Sequence, residues 1–207
     1  MFPGKPLVNG LRFNTGHNTI MQLRKVIHIS GALIPVIAAF IGKSQTMALI
    51  LSGFVIFLII EALKQKIPDK ILSMVYRENE LKDFSIEPLS YFVSVLSLLY
   101  LSFFIDEKIC FAAIAILAAG DGVAGVVGRK YGQHRFTFNK NKSWEGTLSG
   151  FIAASLTGFY YAGGIALVGS AFGMLAGAVN KNDNIAVPYA ALVAMVLVRY
   201  AGAFGGM

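Results

Sequence analysis

The chain has one cysteine, Cys110, and one tryptophan, Trp144, among 207 residues. A lone thiol excludes an intrachain disulfide and any metal site built from cysteines. Charge is also scarce, at 14% of residues against 56% hydrophobic. With a mean hydropathy of +0.64, this is too apolar for an ordinary soluble domain. Acids are scarcer than bases, 11 against 18. No separate basic domain collects that excess, so no nucleic-acid partner is expected. A G-x-x-x-x-G-K-[ST] loop is missing, because Lys142-Ser143 lacks its upstream glycines. Gly120, Gly122 and Gly125 do spell G-x-G-x-x-G. A membrane-length run precedes them and no βαβ pattern surrounds them, which excludes a dinucleotide fold. Internal repeats and low-complexity tracts are absent.

What the chain does have is apolar runs. Crossing a bilayer as a helix takes about 20 mostly apolar residues. Candidate spans are 26–41, 46–63, 89–105, 109–127, 144–161, 165–179 and 186–203, several of them short enough to imply tilt or partial crossing. The expected fold is all-α, a polytopic bundle of about seven transmembrane helices. Residues 1–207 read as a single integral membrane domain with a short polar segment at 1–20. That segment does not resemble a cleavable signal peptide.

Basic residues orient the bundle. Lys5, Arg12, Arg24, Lys25, Lys64, Lys66, Lys70, Arg77, Lys82, Arg129, Lys130, Arg135, Lys140, Lys142 and Lys181 all fall on one side. Lys43 and Lys108 fall on the other, and Arg199 lies inside the last span. The positive-inside rule then places the N-terminus and the basic loops in the cytoplasm and the C-terminus opposite.

Chemistry concentrates at 120–146, GDGVAGVVGRKYGQHRFTFNKNKSWEG. A carboxylate such as Asp121, near the end of an apolar span, costs about 2.5–3.5 kcal/mol at the bilayer centre on insertion scales and implies a function. Asp121, Gly125, Gly128 and Gly132 share one helix face, which suits close approach of a ligand or of a neighbouring helix. The loop that follows carries Arg129, Lys130, Arg135, Lys140 and Lys142, the cations a phosphate would need. Ser143 reads as a helix N-cap, with the helix amides as an anion site and Glu145 in the first turn as a metal ligand or dipole partner. Arg24, Lys25 and His28 enter the membrane at the same level, and 24 and 28 share a face. Asn182-Asp183-Asn184, before Pro188, is a polar turn on that side. Glu61 has cations to pair with. Arg199 either snorkels outward or is paired in the bundle.

Assembled, these residues resemble the CTP-dependent lipid kinase family, which includes dolichol, phytol and farnesol kinases and CTP-dependent diacylglycerol kinase. The match rests on Arg24-Lys25 with His28, G-D-x-x-A-x-x-x-G at 120–128, Lys142-Ser143 with Glu145-Gly146, and Asp183-Asn184 with Pro188. Family members usually carry an acid in the span before Asp-Asn, whereas 173–178 reads GMLAGA. The resemblance implies transfer of the γ-phosphoryl group from CTP, with Mg2+, to a membrane lipid alcohol such as a polyprenol, a phytol-like alcohol or diacylglycerol. It implies catalytic roles for Asp121, Lys142 and Glu145, and nucleotide contacts from Arg24, Lys25, His28, Gly125, Gly128, Ser143, Gly146 and Asn184. Metal contacts would come from Asp121, Glu145 and Asp183. Phosphatidate cytidylyltransferases are related, but their D-R-x-x-D-type signature is missing. A small transporter is the reading outside the enzymes, and polar residues confined to one side argue against it. The lipid alcohol and the oligomeric state are not encoded.

Overall fold

The computed structural model describes residues 28–68, 72, 76, 80 and 83–204. The fold is all-helical, a bundle of apolar helices, and seven long helices among the described residues coincide with the seven predicted segments. They are α1 (His28–Ile41), α2 (Lys43–Leu63), α3 (Ile86–Leu101), α4 (Glu107–Tyr131), α5 (Trp144–Ala162), α6 (Ile165–Val179) and α7 (Asp183–Phe204). Lys43–Lys66, Glu107–Tyr131 and Asp183–Ala201 are long and apolar enough to cross a membrane, while α1, α3 and α6 are apolar but shorter. Gly42 alone joins α1 to α2, at φ 94°, a left-handed conformation that glycine reaches without steric cost.

Helix α4 is the axis of the bundle. Its Ile109–Ala118 stretch is almost wholly buried, and Leu98, Leu99, Ala154, Ala191 and Met195 close around it. By contrast α2, apolar on every face, is mostly exposed, as are Phe40 on α1 and Leu156 and Tyr160 on α5. Apolar surface all round is the mark of helices solvated by lipid.

Glycines set the α4–α5 contact. A Cβ on Gly146 would lie 2.8 Å from the Ala124 carbonyl oxygen and 2.9 Å from the Gly128 Cα. Both are backbone atoms that cannot move aside, so the helices touch main chain to main chain, as small residues allow in membranes. Gly146→Ala should destabilise the protein by about 1–3 kcal/mol. Gly164→Ala, with open space around its Cβ position, is the matched control. Thermal denaturation in detergent compares the two.

Two ion pairs lock the end of the bundle far from Asp121. Lys43 Nζ lies 2.9 Å from Glu107 Oε2, and Arg199 Nη2 lies 2.7 Å from Asp106 Oδ2. Arg199 is therefore paired. Arg199 is more than half exposed and Asp106 also caps α4 through the Lys108 amide. Arg199→Ala should cost about 1 kcal/mol or less, read as a small fall in Tm with turnover unchanged. At the other end Glu61 pairs with Lys64 at 2.7 Å. Lys64 also donates to the Asp83 carbonyl and the Ser85 hydroxyl, and this buried knot pins the connection into α3 against α2.

Candidate active site

A π-helical turn, Ile116–Asp121, interrupts α4 and ends on Asp121. Such a turn takes one extra residue and commonly marks functional positions. It leaves Asp121 only 6% exposed, aimed at three other elements. His28 Nε2 of α1 stands 3.5 Å from one carboxylate oxygen and Lys142 Nζ 3.6 Å from the other. The same ammonium makes a closer ion pair and hydrogen bond with Asp183 Oδ2, at the first turn of α7. One lysine thus bridges two carboxylates. Burial of Lys142 disfavours its charge, but Asp121 and Asp183 together outweigh that and hold its pKa above the usual value.

Asp121, Lys142 and Asp183 line a cavity of about 420 Å³. Arg129, Asn141, Lys181 and Asn182 give it further polar lining, and Ala124, Met174 and Val187 make it partly apolar. Asp183 Oδ1 and Asn184 Oδ1 are buried without a hydrogen-bond partner. Asn184 is held in place by donating to the Glu87 carbonyl at 2.8 Å. Pro188, one turn on, has no N–H to offer the Asn184 carbonyl. One carboxylate oxygen and one amide oxygen, both with unused acceptor capacity, fit magnesium, which takes one or two carboxylates and completes its shell with water and substrate phosphates. Among the described residues no group of three His, Cys, Asp or Glu side chains gathers as a metal cage.

The loop between α4 and α5 is tied down from both ends. Asn139 Nδ2 donates to the Ala178 carbonyl of α6 at 2.9 Å, and Arg135 donates to the carbonyls of Gly128 and Asn141. Phe136 is buried against the rings of Phe138 and Trp144. These contacts fix the Lys142 backbone at the cavity.

Several expected residues meet there: Asp121, Lys142, Asp183, Asn184, Ser143, Gly125, Gly128 and Gly146 all line the cavity, and His28 reaches Asp121. Ser143 caps α5 as expected, accepting from the Gly146 amide at 3.1 Å. The capping has a cost for the expected anion site. The Trp144 amide donates to the His134 carbonyl and the Thr147 amide to the Ser143 carbonyl, so these amides are spent within the loop and helix. Side-chain cations are left to hold an anion. Glu145 does not line the cavity; it receives the His134 amide at 3.0 Å and faces His134 Nδ1 at 2.6 Å. Gly128 and Gly146 serve helix packing as well as lining, each touching the other across the α4–α5 contact. Arg24 and Lys25 lie outside the described residues.

Sequence reading missed Tyr91, whose ring lies 4.4 Å from that of His28 and whose hydroxyl donates to the His28 carbonyl. It also missed Met174 and Lys181 as cavity residues. Their nearness to the Asp-Asn turn was the available signal, but an apolar methionine carries no mark of a site.

Fold and site together define a helical membrane protein with an anion-attracting, carboxylate-bearing cavity at one end of its bundle. Comparison with known proteins gives the family. The chain is 29% identical over 200 residues to the probable phytol kinase 1, chloroplastic, of Oryza sativa subsp. japonica, covering 84% of this chain and 63% of that one. It is 33% identical over 147 residues to phytol kinase 1, chloroplastic, of Arabidopsis thaliana, covering 67% and 47%. Farnesol kinase, chloroplastic, of the same plant is 26% identical over 149 residues, covering 68% and 48%. The chain belongs to the polyprenol and lipid kinase family that these proteins represent. It spans between about half and 63% of their length. No protein-family profile matches the chain, and no solved structure does.

Proposed function

We propose that the protein transfers the γ-phosphoryl group of CTP to the hydroxyl of an isoprenoid alcohol, yielding the alkyl monophosphate and CDP. The observation that carries this reading is Lys142 held between Asp121 and Asp183 in a cavity with both cationic and apolar lining. The kinase names of its relatives support the chemistry, and the resemblance to CTP-dependent kinases supports the nucleotide. Phosphoryl transfer asks mainly for positioning and charge neutralisation. Arg129, Lys142 and Lys181 bind the triphosphate oxygens. Asp183 and Asn184 hold magnesium, which supplies further neutralisation of the polyphosphate when bound. Asp121, oriented by His28 and Lys142, accepts the alcohol proton as the oxygen attacks the γ-phosphorus. Glu145 keeps the loop closed through His134. The N-terminus and this end of the bundle face the cytoplasm, because fifteen of the eighteen Lys and Arg residues lie in the segments on that side.

Purified protein, magnesium and a panel of lipid alcohols and phosphatidate test the proposal, with CTP labelled on the γ- or the α-phosphate in parallel. Label entering the alcohol from γ-CTP alone is the expected result. Label entering phosphatidate from α-CTP alone would make the protein a cytidylyltransferase. No label from either would return the transporter reading.

A further inference from the structure

The cavity is graded in depth. Along α4, Asp121 lies about 12 Å deeper than Arg129, eight residues at 1.5 Å each. Along α7, Val187 lies about 6 Å deeper than Asp183. On α6, Met174 lies two helical turns deeper than the Lys181 end. Cations therefore crowd the mouth, while Ala124, Met174 and Val187 form an apolar floor beneath it. Lys142 reaches from the mouth to that floor, 3.6 Å from the Asp121 carboxylate.

Met174 defines the floor's width. It is 5% exposed and packed on α4 and α5. A Cβ on Gly120 would lie 2.9 Å from its sulfur, and one on Gly150 only 2.5 Å from its methyl. The thioether thus fills a notch that exists only because both positions are glycine. Removing it would open that notch onto the space beside Asp121. An unbranched side chain such as methionine can lie in so narrow a slot, whereas a γ-branched one cannot fill it.

Resting on the kinase reading above, we propose that Met174 is a specificity-determining residue that limits the acceptor to alcohols unbranched at the carbon next to the hydroxyl carbon. Isoprenoid alcohols meet that condition, since their first methyl branch is one carbon further on. Diacylglycerol does not, because an acyl ester branches from that neighbouring carbon.

The test compares the unaltered protein with Met174→Ala, using farnesol, phytol and a short-chain diacylglycerol. Both kcat/KM and the Tm rise caused by each alcohol are measured. The unaltered protein should prefer the isoprenoid alcohols by roughly tenfold or more, the scale of steric discrimination in an apolar pocket. Met174→Ala should erase most of that preference by raising activity on diacylglycerol, with the KM for CTP unchanged. An unchanged ratio in a folded variant overturns the proposal. Met174→Leu, close in volume, takes its place should the alanine variant not fold, and should also relax the preference. If the unaltered protein labels no alcohol, the Tm rises still decide. Stabilisation by isoprenoids over diacylglycerol that vanishes in Met174→Ala upholds the proposal while the kinase reading falls. Equal stabilisation by all three alcohols rejects it.

Discussion

Asp121→Asn should lower kcat by on the order of 10³-fold, within the range assigned to one general base, and leave the fold intact. The amide keeps the volume and planar shape of the carboxylate, so the buried site at the end of the π-helical turn stays filled. It cannot take the alcohol proton, and it no longer opposes the charge of Lys142 at 3.6 Å or of a protonated His28 at 3.5 Å. Stability should change little, because Lys142 retains its ion pair with Asp183. Initial rates with labelled CTP, alongside circular dichroism and Tm, check both halves. A variant with ordinary turnover would remove Asp121 from the centre of the mechanism.

Lys142→Met should cost both activity and stability. The apolar chain keeps most of the packing but leaves Asp121 and Asp183 facing each other without the intervening cation. Breaking one partner out of a largely buried ion pair typically costs about 3–5 kcal/mol, so Tm should fall by several degrees. Turnover should fall by roughly 10²–10³-fold, as for loss of one preorganised charge at a reacting centre. The pH dependence separates this from a packing defect. Lys142 has a raised pKa in the folded state, so its pairing contributes fully below the unfolded lysine value of about 10.4. That contribution is lost as pH rises through the higher folded value. The unaltered protein should therefore lose Tm at the alkaline end of a scan, and Lys142→Met should lose less there. Parallel alkaline slopes would show that the pair contributes no linkage.

Much of the site was legible because its chemistry is local. Gly-Asp, Lys-Ser-x-Glu-Gly and Asp-Asn stand out against apolar runs, where any carboxylate is expensive. Ser143 was readable as a cap because capping depends on three or four consecutive residues. Glu145 was misplaced for the opposite reason. Its partner His134 lies eleven residues back, and only the folded loop brings imidazole and carboxylate together. The same loop spends amides that sequence alone leaves free. Arg199 found Asp106 across 93 residues of chain, a pairing no periodicity encodes.

The sequence by itself determined the solvent and the helices. Apolar runs of membrane length, interrupted by basic segments, leave backbone hydrogen bonds no satisfactory arrangement in lipid except helices. It also determined which end of those helices would carry the charges. Tertiary structure decided which charges meet. Lys142 lies between Asp121 and Asp183 because α4 and α5 cross at glycines, bringing backbones into contact, and because α6 and the loop are tied through Asn139. Met174 became the floor of the cavity only through the same crossing, where two glycines far apart in the chain open one notch. Distances set by packing among helices have no signature in any single segment, which is why the site's residues could be named before its geometry.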